Sequence, residues 1–84
     1  MRVDEALKKL VEVMGGLKGY SMRLLFLLIM MGAVGEESQE IPQWYIQDKA
    51  NLCATSVQLA IKELVEKGYL IYERGYPSSY LVTL

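Results

Sequence analysis

The sequence contains no histidine and only one cysteine, Cys53, among its 84 residues. One thiol excludes an internal disulfide, and without histidine the usual ligand spacings of a zinc site are missing. We therefore expect no metal site, no cofactor and a reducing, cytoplasmic setting, in which Cys53 is a small buried filler. We also expect no enzyme activity, because the chain lacks a histidine base, a glycine-rich phosphate loop and a nucleophile elbow.

Long hydrophobic runs are absent as well. The longest, residues 24–31, falls far short of the roughly 20 residues that span a bilayer. The amino terminus is charged and lacks the apolar run of a secretory signal. These features predict no membrane partner. Hydrophobic residues nevertheless make up 52% of the chain, which is more apolar surface than one small domain readily buries.

An excess of positive charge is the third missing feature. Lys and Arg number 9 and Asp and Glu number 10, giving a net charge of −1. Since neutralisation of phosphates by cations supplies most non-specific affinity for nucleic acid, composition alone does not favour a nucleic-acid partner. Only the arrangement of the cations in the fold can produce a basic surface.

The first half of the chain contains two apolar helical patterns. Residues 3–14 predict an amphipathic helix that either completes the core of its own subunit or forms a short dimer seam. Residues 21–34 predict a helix, capped by Ser21, that is apolar on nearly all sides and must be covered all round. We therefore predict a homodimer whose interface uses the exposed edges of both helices, namely Val3, Leu7, Leu10, Met14, Phe26 and Met30.

The second half predicts a short strand at residues 40–41, a helix over 42–51, a second helix over 55–67 and a β-hairpin over 69–84. Asn51 suits the left-handed backbone of the sharp turn between the helices. Thr55 and Gln58 match a capping box. Gly68, after Lys67, suits the left-handed backbone conformation in which many α-helices end. The inner face of the second helix is predicted to comprise Val57, Ala60, Ile61, Leu64 and Val65.

This order of elements resembles the winged helix-turn-helix superfamily of DNA-binding domains, in particular small regulators and replication proteins of bacteria, archaea, phages and plasmids. The residues that carry the resemblance are Ile46, residues 50–52 and residues 55–71, followed by the hairpin. It implies a single α+β, mainly α domain over residues 1–84, with an extra N-terminal amphipathic helix and a C-terminal hairpin wing. The implied function is duplex DNA binding as a homodimer, in transcriptional regulation or in replication or partition of a small replicon.

The resemblance also implies which side chains contact DNA. The second helix would lie in the major groove and the wing on the backbone or minor groove. Matching positions in this sequence are Thr55, Ser56, Gln58, Leu59 and Lys62 on the helix, with Lys49, Arg74 and Tyr76 as phosphate or wing contacts. Gln58 suits an adenine edge, whereas Lys62 and Arg74 are explained equally well as solvated charges.

Leu59 departs from the family pattern, since the family often carries a polar or basic residue there. A leucine at this position suits either a thymine methyl group or a protein partner. The alternative function is therefore a winged helix that binds another protein and has little or no affinity for DNA. The neutral charge of the second half also favours this alternative.

Overall fold

Four α-helices and one three-stranded antiparallel sheet form the computed structural model, which describes residues 1–84. The predicted α+β, mainly helical class is confirmed. The helices are α1 (Val3–Val13), α2 (Gly19–Met30), α3 (Gln43–Ala50) and α4 (Ala54–Glu66), and the strands are β1 (Gln39–Ile41), β2 (Leu70–Glu73) and β3 (Ser78–Val82). None of the helices combines the length and apolarity needed to cross a membrane.

Helix α1 packs on α2 through its inner stripe, Ala6 and Leu10, and continues into a 3-10 turn at Met14–Gly16. Leu10 is 7% exposed and belongs to the core of its own domain. Leu10, predicted for a dimer interface, is thus largely covered by α2 of its own chain. Leu7 is half-buried against the same core.

Helix α2 starts and ends earlier than predicted. Lys18 is its N-cap without a side-chain hydrogen bond, and Ser21, the predicted cap, lies fully buried inside the first turn. The helix ends at Met30, because Gly32 adopts a left-handed φ of +82°. The Ala33 amide then donates to Leu28 O and the Gly32 amide to Ile29 O, both at 3.0 Å, as in a Schellman motif.

The core is built around α2, which contacts the other three helices and β3. Its fully buried side chains are Leu24, Leu25, Leu28 and Ile29. Phe26 and Met30 remain 50% and 56% exposed on the opposite side. A single chain therefore leaves one stripe of this helix uncovered.

Helices α3 and α4 are joined by Asn51, whose φ of 54° confirms the predicted left-handed turn. Helix α4 begins one residue earlier than predicted, with Cys53 as its N-cap and no side-chain cap. The proposed Thr55 capping box is therefore wrong, because Thr55 already lies within the helix. At the other end Gly68 has a φ of +78°, which confirms the left-handed helix end. Val65 is exposed rather than part of the inner face, because it lies about 100° around the helix from Leu64.

The sheet has the order β1-β3-β2, so β3 is the central strand. Gln39 pairs with Tyr80 on one side, and Leu70 pairs with Val82 on the other. Burial raises the pKa of Tyr80 to about 12. The Val82 amide donates to Ala33 O at 2.7 Å and joins β3 to the turn after α2. The hairpin is thus attached to the helical core at its base, while its tip extends beside α3 and α4.

Candidate nucleic-acid interface

The outer face of α4 carries the helix residues that the sequence predicts as DNA contacts. Thr55, Gln58 and Lys62 are exposed, and Ser56 is half-buried. Lys62 forms no ion pair, so its charge is free to meet an anion. Leu59 is 46% exposed on the same face. The face is therefore polar, with one free cation and one leucine.

Gln58 is held by a chain of side-chain amides that starts on α3. Gln43 Nε2 donates to Gln47 Oε1 at 3.2 Å, and Gln58 Nε2 donates to Gln43 Oε1 at 3.3 Å. The Gln58 carbonyl oxygen and its second amide hydrogen remain available to a ligand. Sequence analysis did not identify Gln43 as a site residue. The spacing of Gln43 and Gln47 (i, i+4) marks them as neighbours on one helix face, but the contact with Gln58 depends on how α3 and α4 pack.

A cleft of about 200 Å³, here called the hairpin cleft, lies between Gln58 and the β2–β3 turn. Its walls are Gln43, Gln58, Tyr72, Arg74, Gly75, Tyr76 and Ser78. Arg74 is the only charged side chain among them. The fold therefore brings three of the predicted contacts, Gln58, Arg74 and Tyr76, to one place with one positive charge and no carboxylate.

The turn that carries Arg74 is held by the Ser78 hydroxyl. Ser78 Oγ accepts from the Gly75 amide and donates to Gly75 O, both at 3.2 Å. The Tyr72 hydroxyl lies 3.1 Å from Ser78 Oγ. These contacts fix the backbone on both sides of Arg74, whereas Arg74 and Tyr76 themselves extend into solvent.

Lys49 lies in a different place from the other predicted contacts. Its Nζ sits 5.7 Å from the centroid of the Tyr45 ring and 3.9 Å from Asp48. It lines a cleft of about 450 Å³ together with Arg23 and Phe26. The structure therefore does not bring Lys49 to the hairpin cleft.

Glu63 is a second group that sequence analysis did not identify. Its Oε1 accepts from the backbone amide of Lys18 at 3.1 Å, which satisfies a donor at the start of α2. Lys67 Nζ lies 3.8 Å from its other oxygen and also donates to Gly16 O. These contacts tie the end of α4 to the α1–α2 connection.

The buried hydroxyl of Ser21 lies beside this carboxylate. Its Oγ makes no hydrogen bond of standard geometry, yet its interaction with Glu63 is the main cause that lowers the pKa of that carboxyl. The Lys18 amide and the charge of Lys67 lower the pKa of Glu63 further.

Cys53 is exposed at the start of α4, which overturns its predicted role as a buried filler. As the N-cap residue it lies at the surface rather than in the turn interior. Its Sγ is 3.3 Å from Ser56 Oγ, and this hydrogen bond is the main cause that lowers the pKa of the Cys53 thiol.

An apolar strip, here called the α2 face, lies on another side of the molecule. It comprises Met14, Met22, Phe26 and Met30, with Arg23 among them. Arg23 Nη1 donates to Asn51 O at 3.3 Å, where a cation suits the carboxyl end of α3. Of the predicted interface residues, Met14, Phe26 and Met30 therefore lie on one accessible strip. Val3 is exposed near the start of α1.

Comparison with protein-family models, with curated proteins and with solved structures finds no match to this chain.

Proposed function

We propose that this chain is a winged helix protein that binds duplex DNA, with α4 as the recognition helix and the β2–β3 hairpin as the wing. The hairpin cleft is the observation that carries the proposal. It joins the exposed face of α4 to Arg74 and contains no carboxylate, although the chain as a whole has a net charge of −1. A lining with one cation and no acidic group suits a phosphate backbone. The exposed carboxylates of Glu66 on α4 and Glu73 beside Arg74 lie outside this lining.

In this proposal each side chain has a distinct task. Lys62 and Arg74 contact phosphates, which positions the protein without selecting a sequence. Gln58, oriented by Gln43, contacts the donor and acceptor pair of an adenine in the major groove. Leu59 contacts a thymine methyl group beside it.

We further propose that the protein acts as a homodimer through the α2 face. Exposed methionine and phenylalanine side chains on one strip are typical of an interaction surface. Covering Phe26 and Met30 with a second copy would also remove the largest apolar surface left on α2. A two-fold dimer would present two recognition helices to a palindromic site, which suits a transcriptional regulator or a replicon-specific replication or partition protein.

Binding to random and selected duplexes tests this proposal. Fluorescence anisotropy with a labelled duplex should show an affinity that falls as salt rises, because bound cations are released. Selection from a randomised duplex pool should then enrich a palindromic site. Absence of any binding at low salt would overturn the proposal.

A second candidate function, binding of another protein through α4, is favoured by the exposure of Leu59. The change Leu59→Lys separates the two functions. Increased affinity for all duplexes would place this face against DNA, since the new cation adds a phosphate contact. If no duplex binds either the parent chain or the variant, the protein-binding function is favoured.

A further inference from the structure

Two exposed aromatic side chains line a second cleft at the hairpin tip. Trp44, in the first turn of α3, is 68% exposed, and Tyr76, in the β2–β3 turn, is fully exposed. The cleft between them has a volume of about 400 Å³ and is called here the aromatic cleft. Pro42 and Pro77 complete its apolar lining. Such exposure is costly for large aromatic rings unless a ligand covers them.

The ring of Trp44 is supported on one side only. It packs edge-on against Tyr45, with ring centroids 5.8 Å apart and an interplanar angle of 75°. This contact restrains the indole while leaving most of its surface accessible. A restrained, accessible ring loses little conformational entropy when a flat ligand stacks on it.

The aromatic cleft adjoins the hairpin cleft, and the two share Gln43, Gly75, Tyr76 and Ser78 as walls. No carboxylate lines either cleft, and Arg74 is the only charged side chain of the pair. A ligand that crosses from one cleft to the other therefore meets an aromatic surface first, then side-chain amides, and then one cation.

We propose that the aromatic cleft binds an unpaired nucleobase, so that the protein prefers a junction where duplex DNA adjoins a single strand. The base stacks on Trp44 and Tyr76, and the phosphate beside it is contacted by Arg74. Stacking on exposed aromatic rings beside cations is the general mode of single-strand binding. The inference rests on the proposed duplex binding by α4, which places the junction next to the hairpin.

The charge of the clefts favours a nucleotide over a peptide. A proline-rich peptide also docks on aromatic walls, but the prolines that occupy such walls carry no charge to pair with Arg74. A nucleotide uses all three features, since its base is flat, its edge can pair with the amide of Gln43, and its phosphate is anionic.

Trp44 is the only tryptophan of the chain, so the indole fluorescence reports directly on the aromatic cleft. The intact protein is titrated with a blunt duplex and with the same duplex carrying a short single-stranded overhang. We expect the overhang to quench the indole fluorescence and to tighten binding about 5- to 150-fold, as expected for stacking of one base. The blunt duplex should leave the fluorescence nearly unchanged.

Variants separate stacking from a merely structural role. Trp44→Ala should remove most of the gain from the overhang while keeping the affinity for blunt duplex within about twofold, since Trp44 lines the aromatic cleft alone and contacts only the unpaired base. Tyr76→Ala should also reduce the gain. Trp44→Phe, which keeps a ring, should retain part of the gain. Val11→Ala, an exposed apolar side chain on α1 that lines neither cleft, is the matched control and should retain all of it.

The outcomes distinguish this inference from the proposed function. Salt-dependent binding of blunt duplex with no gain and no quenching from the overhang would overturn the inference alone. Failure to bind either probe would overturn both. Quenching by decaproline, with none by the overhang, would also overturn the inference and assign the cleft to a peptide.

Discussion

At the scale of single residues, the orientation of Gln58 distinguishes a base contact from a solvated side chain. An isolated glutamine on a helix surface samples many rotamers, which must be restricted on binding. Here Gln43 already accepts a hydrogen bond from Gln58. Part of that entropy is therefore lost before any ligand binds, which under the proposed DNA binding favours selectivity at the contacted base pair.

The parent chain should bind its best site more tightly than a site changed at the base pair that Gln58 contacts. We predict that Gln58→Ala reduces this difference in binding free energy by about 1–3 kcal/mol. Gln43→Ala should give a smaller loss of the same kind, because Gln58 is kept but no longer oriented. Neither change should alter the salt dependence of binding. Competition titrations with the two sites measure this effect.

Arg74→Ala provides the contrasting case. It should weaken binding to all duplexes alike and reduce the salt slope by about one unit, since one phosphate contact is lost. An unchanged slope would mean that Arg74 is solvated in the complex. Lys8, an exposed cation on α1 that forms no ion pair, is a suitable control position for removing one cation.

Glu63 links residue chemistry to the stability of the fold. Its pKa is lower in the folded chain than the ordinary value of 4.5, chiefly through Ser21 and the Lys18 amide. Below pH 4.5 the unfolded chain thus binds more protons at this position, so stability falls as the pH falls through the folded pKa. The stabilisation is fully present above 4.5.

We predict that Glu63→Gln makes the stability of the protein less dependent on pH in the acidic range below 4.5. Glu63→Ala should in addition cost about 1 kcal/mol at neutral pH, because the Lys18 amide loses its acceptor. Urea unfolding at several pH values measures both effects. Glu66→Gln, an exposed position one turn away that makes no such contact, should leave the pH profile as it is.

At the scale of elements, the ends of α2 and α4 depend on backbone conformation more than on side-chain caps. Each helix is followed, two residues after its last residue, by a glycine with a left-handed φ, namely Gly32 after α2 and Gly68 after α4. Neither helix starts with a side-chain cap. The left-handed conformation strains any residue that carries a Cβ atom. The hairpin follows directly after Gly68, so this turn also sets the position of the hairpin.

We predict that Gly68→Ala lowers the free energy of unfolding by about 1–2 kcal/mol, through backbone strain rather than a steric clash, since an added Cβ would meet no atom within 4 Å. Gly35→Ala, where φ is not left-handed and the space is equally open, should be neutral or slightly stabilising. Equal losses in the two variants, measured by denaturant unfolding, would contradict the strain argument.

At the scale of the whole molecule, the apolar surface exceeds what one chain covers. Phe26 and Met30 stay exposed although α2 is the centre of the core. We predict that sedimentation at micromolar concentration reports twice the chain mass of 9.5 kDa. A clean monomer would contradict the homodimer.

Matched charge substitutions distinguish the interface from the core. Phe26→Glu should give a folded monomer, because its side chain is already half exposed. Leu10→Glu should instead unfold the domain, since it buries an unpaired charge among the core residues. Circular dichroism reports folding and sedimentation reports mass. Unfolding of both variants would place Phe26 in the core rather than in an interface.

Elements with a local cause could be predicted from the residues alone. Apolar residues at helical spacing predicted α1 and the inner residues Val57, Ala60, Ile61 and Leu64 of α4, and the backbone preferences of Asn51 and Gly68 predicted two turns. Such signals act between neighbours along the chain, so periodicity and residue type suffice to detect them.

The sequence predicts helix starts less well, because acceptors on other segments can bind the free backbone N–H groups at the start of a helix. Ser21 was expected to cap α2, but the Lys18 amide is bound by Glu63, which is 45 residues away in sequence. Thr55 was expected to cap α4, yet the helix begins before it. Capping patterns describe one segment and contain no information about acceptors on another helix.

The side chains that share a surface could not be predicted in this way, because their proximity depends on how the elements pack. The tertiary structure placed Gln58 beside Gln43 and Arg74, assigned Leu10 to the core, and moved Lys49 to a different cleft. These outcomes depend on the crossing of α3 and α4 and on the attachment of the hairpin at Val82. Packing of elements distant in sequence sets such geometry, and no local pattern in the chain specifies it.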